Sequence, residues 1–176
     1  MLYLNRGDQA ETASRPASDV RMNEAEKACG ILKASAVFAG QIDAHAVVDE
    51  EHYGQFRQLL EAEKPDAVFT HWPIDNHADH RAMSMLVYDA WLRLGRKFAL
   101  YYYEVSNGED TLRFAPTHYV DISQAEPCKR QASQAPERYY MPETVTGIRG
   151  FESGHEQAKA YVRHIQSLDF ALPPGR

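Results

Sequence analysis

The 176-residue sequence has little cysteine and no long apolar run. Its two cysteines, Cys29 and Cys128, form no CxxC pair, which fits a reducing compartment better than a disulfide-stapled secreted domain. No apolar segment approaches the roughly 18 residues of a membrane-spanning helix, and the N-terminus lacks the basic-then-apolar layout of a signal peptide. We therefore expect a cytoplasmic protein with no membrane span.

Positive charge is also scarce, because 19 Lys and Arg stand against 25 Asp and Glu and leave a net charge of -6. Nucleic-acid binding usually needs a basic surface, so no nucleic-acid partner is expected, whereas a small anionic or neutral substrate is left open. The phosphate-cradling patterns GxGxxG and GxxxxGK are missing too, which disfavours a metal-independent nucleotide or sugar binder. Ordinary charged and hydrophobic fractions of 25% and 44% indicate one globular domain.

Short apolar runs alternate with helical periodicities along the chain. Strands are predicted at residues 2–4, 36–39, 67–69, 98–103 and 117–122. Helices are predicted from residue 21 to about 33, around 53–60, and at 81–94, and Ala158, Tyr161, Val162 and Ile165 indicate a last helix. This order predicts an α/β fold, a Rossmann-like three-layer sandwich with a mostly parallel sheet.

Residues 71–80 read HWPIDNHADH and directly follow the apolar run 67–69. Ligands of open α/β sheets bind outside the carboxyl ends of the strands, so this position favours function. Imidazole is a zinc ligand and a proton carrier, and a nearby aspartate can fix its tautomer. A lone loop histidine is usually hydrogen-bonded to backbone, but the spacing His77-Ala78-Asp79-His80 favours a site. For His71 and Asp75, structural and functional roles are equally open.

The remaining histidines have weaker claims. His118 precedes another strand and is a candidate for the same edge of the sheet. Four others are expected on the surface or on helix faces: His45, His52, His155 and His164.

A catalytic zinc usually has three protein ligands and an open position for water. His80 alone does not supply them, and using His77 as a ligand would remove the most obvious proton carrier. We therefore expect part of the metal site to be missing from the segment.

Several segments together resemble the PIG-L (LmbE-like) deacetylase family. They are LYLNRGD, VRMNEAEKACGIL, PDAVFTHWPIDNHADHRA, PTHYVDIS, the single Lys129, Gln134, and Arg149-Gly150. The resemblance covers most of the chain, and the HxDH block with its preceding strand is the most specific part. It implies a Rossmann-like zinc hydrolase that removes N-acetyl groups from N-acetylglucosamine-type sugar conjugates.

The resemblance also implies residue roles. His80 would bind Zn²⁺, His77 would stabilise the oxyanion and protonate the leaving amine, and Asp79 would orient and tune His77. Candidates for contacting the substrate are Arg6, Lys129 and Arg149. For Lys129 and Arg149 a solvated surface charge is the more common alternative.

One family hallmark has no counterpart here, because no His-Pro-Asp-Asp block with two further zinc ligands and a general base occurs. We therefore expect a single domain over residues 1–176 that lacks its first strand and helix. Such a chain is expected to be poorly stable, prone to association and inactive by itself. The alternative is a non-catalytic binding or scaffold protein derived from the same fold. The sequence leaves the oligomeric state and the substrate's aglycone open.

Overall fold

The computed structural model describes residues 1–5, 17–105, 110–133, 153 and 158–163. The strands are β1 (Leu2–Asn5), β2 (Val37–Gln41), β3 (Ala67–His71), β4 (Ala99–Tyr103), β5 (His118–Asp121) and β6 (Ala158–Arg163). The helices are α1 (Ala17–Ile31), α2 (Glu50–Glu63), α3 (Ala78–Arg93) and α4 (Glu126–Ser133). The predicted strands are confirmed, with bounds that shift by one or two residues.

The strands form two sheets in the described part of the chain. One is the parallel pair β1-β2, and the other has the order β3-β4-β6-β5. Strands β3 and β4 are parallel, whereas β6 is antiparallel to both of its neighbours, β4 and β5. Both parallel pairs are joined through helices, which is the right connection for parallel strands and gives the mixed α/β fold that the sequence predicts.

The two sheets share one hydrophobic core. Buried residues from β1, β2, α2, α3 and β4 form a continuous cluster that includes Leu4, Phe56, Leu86 and Leu100. Successive strand residues point to opposite faces, so Leu4 faces this core while the hydroxyl of Tyr3 contacts Cys29 of α1. Helix α1 therefore lies on the face of β1 opposite the core, which gives the layers α, β and α.

The prediction of a helix at the C-terminal segment is wrong. Residues Ala158–Arg163 form a strand that pairs with β4 on one side and β5 on the other. The letters AKAYVR also alternate small or apolar residues with longer ones, the two-residue period of a strand, and neighbouring strand edges were available to pair with it. Ile165, which completed the helical spacing, lies outside the described residues.

Helix α3 begins at Ala78, three residues before the predicted start at 81. The earlier start follows from the cap, because the His77 side chain accepts a hydrogen bond from the backbone N–H of Asp79. Asp79 and His80 therefore belong to the first helical turn rather than to a loop, which fixes the directions of their side chains.

Candidate functional site

The histidine-rich segment lies at the carboxyl end of β3. His71 is the last residue of that strand, His77 caps α3, and His80 lies in the first turn of the helix. A short loop with a tight turn separates strand and helix, and the guanidinium of Arg81 holds it by donating to the carbonyls of Asp75 and Asn76. These two hydrogen bonds tie the loop to the first turn of α3.

The three imidazoles form a stack. The ring of His80 is 4.3 Å from that of His71 at an angle of 11° and 4.4 Å from that of His77 at 21°, centroid to centroid. Two rings that are both nearly parallel to His80 at this distance need opposite faces of it, so His80 lies between His71 and His77.

Stacked imidazoles do not chelate one ion together, because their nitrogen lone pairs lie in separate, nearly parallel planes. In agreement with this geometry, the described residues contain no group of three His, Cys, Asp or Glu side chains arranged to hold a metal ion. The stack therefore offers single nitrogens, and it is not a three-histidine metal site.

Asp75 holds the ring of His80. Its Oδ1 lies 3.0 Å from His80 Nδ1 and also accepts from the backbone N–H of His77 at 2.8 Å. Its Oδ2 accepts from the hydroxyl of Thr111 at 3.0 Å. Burial alone would raise the pKa of the Asp75 carboxyl, but the hydrogen bonds from His77, Thr111 and His80 hold that pKa below its usual range. The carboxylate is therefore ionised and points Nε2 of His80 away from itself.

His77 combines exposure with a defined tautomer. Its Nδ1 accepts the backbone N–H of Asp79 at 3.2 Å, and its side chain lies at the solvent-exposed helix cap. A neutral imidazole that accepts at Nδ1 carries its proton on Nε2. In this tautomer the Nε2–H of His77 can donate a hydrogen bond, whereas delivery of a proton requires the imidazolium form of the ring.

The carboxylate of Asp79 organises the surrounding loops. It accepts from the backbone N–H of Ala44 at 2.8 Å and of Ala46 at 3.3 Å, and from the amide of Asn5 at 3.3 Å. Within the described residues the Asp79 carboxylate makes no hydrogen bond to the His77 ring. Only the backbone N–H of Asp79 bonds to that ring. Asp79 thus ties the end of β1 and the loop after β2 to the start of α3.

His71 is the half-buried end of the stack. Its Nε2 lies 3.2 Å from the hydroxyl of Tyr103, its partner in the β3-β4 register. Burial, and then the neighbouring His80, lower the pKa of His71 to about 4, and burial raises the pKa of Tyr103. Both side chains are therefore neutral near pH 7. Packed together and hydrogen-bonded to each other, they support one end of the stack.

His118 lies in the same cross-strand row as His71 but does not join the stack. The register pairs His71 with Tyr103, Tyr103 with Tyr161, and Tyr161 with His118. Three interstrand spacings of about 4.8 Å separate the two histidines by roughly 14 Å. The row presents aromatic and imidazole side chains on the face of the sheet opposite the core.

The structure describes one of the three predicted substrate contacts. Lys129 lies on α4, and its Nζ is buried with no hydrogen-bond partner in the described part of the chain. Burial lowers the pKa of this lysine, and the neighbouring Glu126 opposes the shift. Arg6 and Arg149 lie outside the described residues, as does Gln134.

Two site residues escaped the sequence prediction. Thr111 reaches Asp75 across 36 positions of sequence, and Tyr103 reaches His71 across 32. The residues give no local signal for either pairing, because both depend on which loop and strand lie next to β3.

A family model described as PIG-L: GlcNAc-PI de-N-acetylase matches residues 1–91, from β1 through most of α3. The chain belongs to this family. The matched region contains the complete histidine stack and Asp75. A search of curated protein sequences finds no significant match.

Solved structures with the same fold accompany the family match. A conserved protein from Thermus thermophilus has a TM-score of 0.79 at 22% identity, over 99% of this chain and 84% of its own. GalB, the 4-carboxy-2-hydroxymuconate hydratase from Pseudomonas putida, has 0.80 at 18%, over 93% and 82%. The N,N'-diacetylchitobiose deacetylase from Pyrococcus horikoshii has 0.75 at 16%, over 93% and 71%. At these identities the likeness establishes the fold of this PIG-L family member.

Among the residues that the structure describes, no helix has the length and apolar character needed to cross a membrane.

Proposed function

We propose that this PIG-L family member is a zinc-dependent amide hydrolase that removes the N-acetyl group from an N-acetylglucosamine-type conjugate. The observation that carries the proposal is the arrangement of two histidines at the carboxyl end of β3. One is held by a buried carboxylate with its Nε2 turned away, and the other is exposed with a proton on Nε2. A metal ligand beside a proton donor is what amide hydrolysis needs.

His80 fits a zinc ligand. Metal-bound histidines commonly donate their second ring nitrogen to a carboxylate, and Asp75 accepts from His80 in this way. When bound, zinc supplies Lewis-acid polarisation of the amide carbonyl. The described residues group no three ligands, and the proposal places the remaining ligands outside the described part.

His77 fits the acid that completes the reaction. In the neutral ring, the Nε2–H of His77 at the exposed helix cap can donate a hydrogen bond to the developing oxyanion. The leaving amine must gain a proton, and His77 can supply it only as the imidazolium. Asp79 holds this histidine by its backbone N–H and holds the adjoining loops by its carboxylate. In this proposal His77 is the catalytic residue and Asp79 positions it.

The proposed substrate is a small amino-sugar conjugate. The family's description and the neighbour named as a diacetylchitobiose deacetylase support this class. The neighbour named as a hydratase has the same fold, so the fold alone does not decide the reaction. Arg6 and Arg149 are proposed to contact an anionic part of the conjugate, and Lys129 can join them only if its buried Nζ becomes accessible. Both cysteines are free thiols, which supports a cytoplasmic location.

We also propose that a further strand and helix complete the domain. Among the described strands, β1 pairs only with β2 and β3 only with β4, although both pairs pack on one core. Parallel sheets are normally covered on both faces, yet Phe69 of β3 is 50% exposed. A parallel strand between β1 and β3, followed by a helix over Phe69, would join the sheets and bring ligands to His80.

Sequencing upstream of the Met1 codon tests this completion. An in-frame extension with an apolar strand followed by acidic and histidine residues is the expected result. An in-frame stop codon just before Met1, with a 176-residue protein that is monomeric, cooperatively folded and zinc-loaded, would refute it.

The rival is a metal-free binding or scaffold protein, which the lack of a three-ligand group in the described residues favours. Zinc content and acetate release, measured on protein from the longest reading frame that contains this chain, separate the two. A panel of N-acetylated sugar conjugates with acetate detection also gives the substrate class. Bound zinc with acetate release supports the hydrolase, whereas folded protein with neither supports the scaffold.

A further inference from the structure

The ring of His80 has two orientations that its stacking neighbours do not distinguish. His71 and His77 contact its two faces and hold its plane. A half-turn of the ring about its bond to Cβ preserves that plane and both stacks. The half-turn exchanges each nitrogen with a carbon, so it decides whether a nitrogen or a C–H faces the site.

The carboxylate of Asp75 removes this ambiguity. Its Oδ1 is 3.0 Å from His80 Nδ1, and none of the Asp75 side chain is exposed to solvent. An ionised carboxylate only accepts hydrogen bonds, so the ring must place Nδ1 toward it and must carry a proton there. In the neutral ring, Nε2 is then left with its lone pair and without a proton.

We propose that Asp75 is a positioning residue that selects one ring orientation and one tautomer of His80. The carboxylate makes Nε2 a stronger electron-pair donor as well as a correctly directed one. The use of Nε2 as a metal ligand rests on the proposed function, whereas the selection of orientation and tautomer rests on the contacts alone.

Asp75 has structural contacts that a test must separate from this role. The same Oδ1 accepts from the backbone N–H of His77, and Oδ2 accepts from the hydroxyl of Thr111. Thr111 also accepts from the backbone N–H of Val105, so Asp75 connects two loops. Thr111→Val removes the hydroxyl and keeps the carboxylate beside His80, and it therefore isolates the loop contact.

The chain contains a matched Asp–His pair elsewhere. Asp49 Oδ1 lies 2.6 Å from His52 Nδ1 at the start of α2, with half of the Asp49 side chain exposed. Asp49→Asn makes the same chemical change beside a histidine that is not in the stack. It controls for a general effect of replacing aspartate by asparagine.

Long-range ¹H–¹⁵N correlation spectra of ¹⁵N-histidine-labelled, metal-free protein measure the tautomer of each ring directly. The spectra are recorded well above the ordinary imidazole pKa of about 6.5 so that the rings are neutral, and His80→Gln assigns the His80 signals. Wild-type His80 is expected to show a proton on Nδ1 and a bare Nε2. In Asp75→Asn the neutral amide can donate or accept, so this single tautomer should give way to a mixture or reverse.

Thr111→Val and Asp49→Asn should leave the His80 signals unchanged. The proposal is overturned if wild-type His80 carries its proton on Nε2, or if folded Asp75→Asn keeps the wild-type His80 pattern. If Asp75→Asn does not fold, the wild-type spectrum still decides the tautomer. Asp75→Glu, which keeps the charge, then provides the second comparison. A His80 ring with its proton on Nδ1 in this variant supports the proposal, and loss of that form in a folded Asp75→Glu protein opposes it. The measurement uses neither zinc nor substrate, so a failed acetate assay would defeat the proposed function and leave this result standing.

Discussion

At the scale of single residues, His77 and His80 have the same chemistry and different surroundings. His80 is packed between two rings with its Nδ1 on Asp75, whereas His77 is exposed and its Nδ1 accepts a backbone N–H. These surroundings support the proposed roles, a zinc ligand for His80 and a proton donor for His77, because unlike environments give chemically identical groups different properties.

This assignment predicts different results for two alanine substitutions on the complete protein. His80→Ala should lose the metal, because it removes a ligand, while His77→Ala should keep it. Zinc content after dialysis, with the exposed His45→Ala as the control, measures the difference. Equal loss of zinc from both variants would mean that the two roles must be exchanged or merged.

The contacts of the Asp79 side chain predict that its substitution lowers the stability of the protein. Its buried carboxylate accepts from two backbone N–H groups of the loop after β2. Asn offers one oxygen and a donor in place of two acceptors, so Asp79→Asn should lower the free energy of unfolding by about 1–3 kcal/mol. Urea unfolding measures it, with the exposed Asp66→Asn as control. An unchanged midpoint would show that these loop contacts contribute little.

Lys129 predicts a pH-dependent stability. Burial lowers the pKa of Lys129 in the folded state, so the unfolded chain binds its proton more tightly. This contribution to stability therefore rises with pH as the folded-state pKa is passed, and levels off above the ordinary pKa of about 10.4.

Lys129→Met should consequently raise the free energy of unfolding at pH 7 by about 1 kcal/mol, because it removes a poorly solvated cation. The gain should shrink toward pH 10. Thermal unfolding at several pH values measures it, and the exposed Lys27→Met should show no such trend. A variant that is destabilised at pH 7 would indicate a partner for Lys129 that offsets its burial.

The sequence alone indicated part of this site. The rest depends on contacts that only the folded chain makes, so local sequence patterns did not predict it. His77, Asp79 and His80 lie within four consecutive residues, so their spacing alone suggested shared chemistry. The role of Asp75 stayed open between structural and functional, because its contact with His80 spans the loop and the first turn of α3. That contact depends on where the helix begins. Thr111 comes from a different loop and could not be paired with Asp75 before the fold was known.

At the scale of elements, local pattern predicted the parallel strands and failed at β6. Apolar runs such as Ala67-Val68-Phe69 are short and are flanked by polar or turn-forming residues. They lie within β3 and the neighbouring strands. The segment AKAYVR fits either a helical or a strand period over so few residues, and pairing with both β4 and β5 decides for the strand. Tertiary contacts, and not propensity, determine that element.

Helix α2 offers a direct test of capping. The side chain of Asp49 accepts from the backbone N–H of His52 at 3.0 Å and also contacts its ring. Asp49→Ala removes the cap and should cost about 1 kcal/mol of unfolding free energy, while Asp49→Asn keeps an acceptor and should cost less. Chemical denaturation measures both variants. Equal losses would show that the charge or the His52 ring contact, and not the cap, provides the stability.

At the scale of the whole molecule, the described residues cover the inner face of β3 and β4 well and leave part of the opposite face of β3 exposed. Phe56 and Leu86 of α2 and α3 are fully buried, and they cover the inner face. On the opposite face Phe69 stacks on Tyr101 at 5.0 Å and remains half exposed. Exposed aromatic surface of this kind promotes association.

We therefore predict that the 176-residue chain self-associates through this face. Phe69→Gln should shift the protein toward monomer, measured by size-exclusion chromatography with light scattering over a range of concentrations. Met85→Gln is the matched control, because Met85 is also 50% exposed but lies on α3. If both variants associate as the wild type does, the Phe69 face is not the contact.

We propose that the His77–His80 segment performs deacetylation, and acetate release is the direct readout of this claim. Protein from the longest reading frame that contains this chain is given Zn²⁺ and N-acetylglucosamine conjugates, and initial rates are compared with those of His77→Ala. We predict acetate release by the wild type and a rate roughly a hundredfold or more lower in the variant, because general acid catalysis is lost. Folded, zinc-loaded protein that releases no acetate, or a His77→Ala variant as fast as the wild type, would contradict the claim.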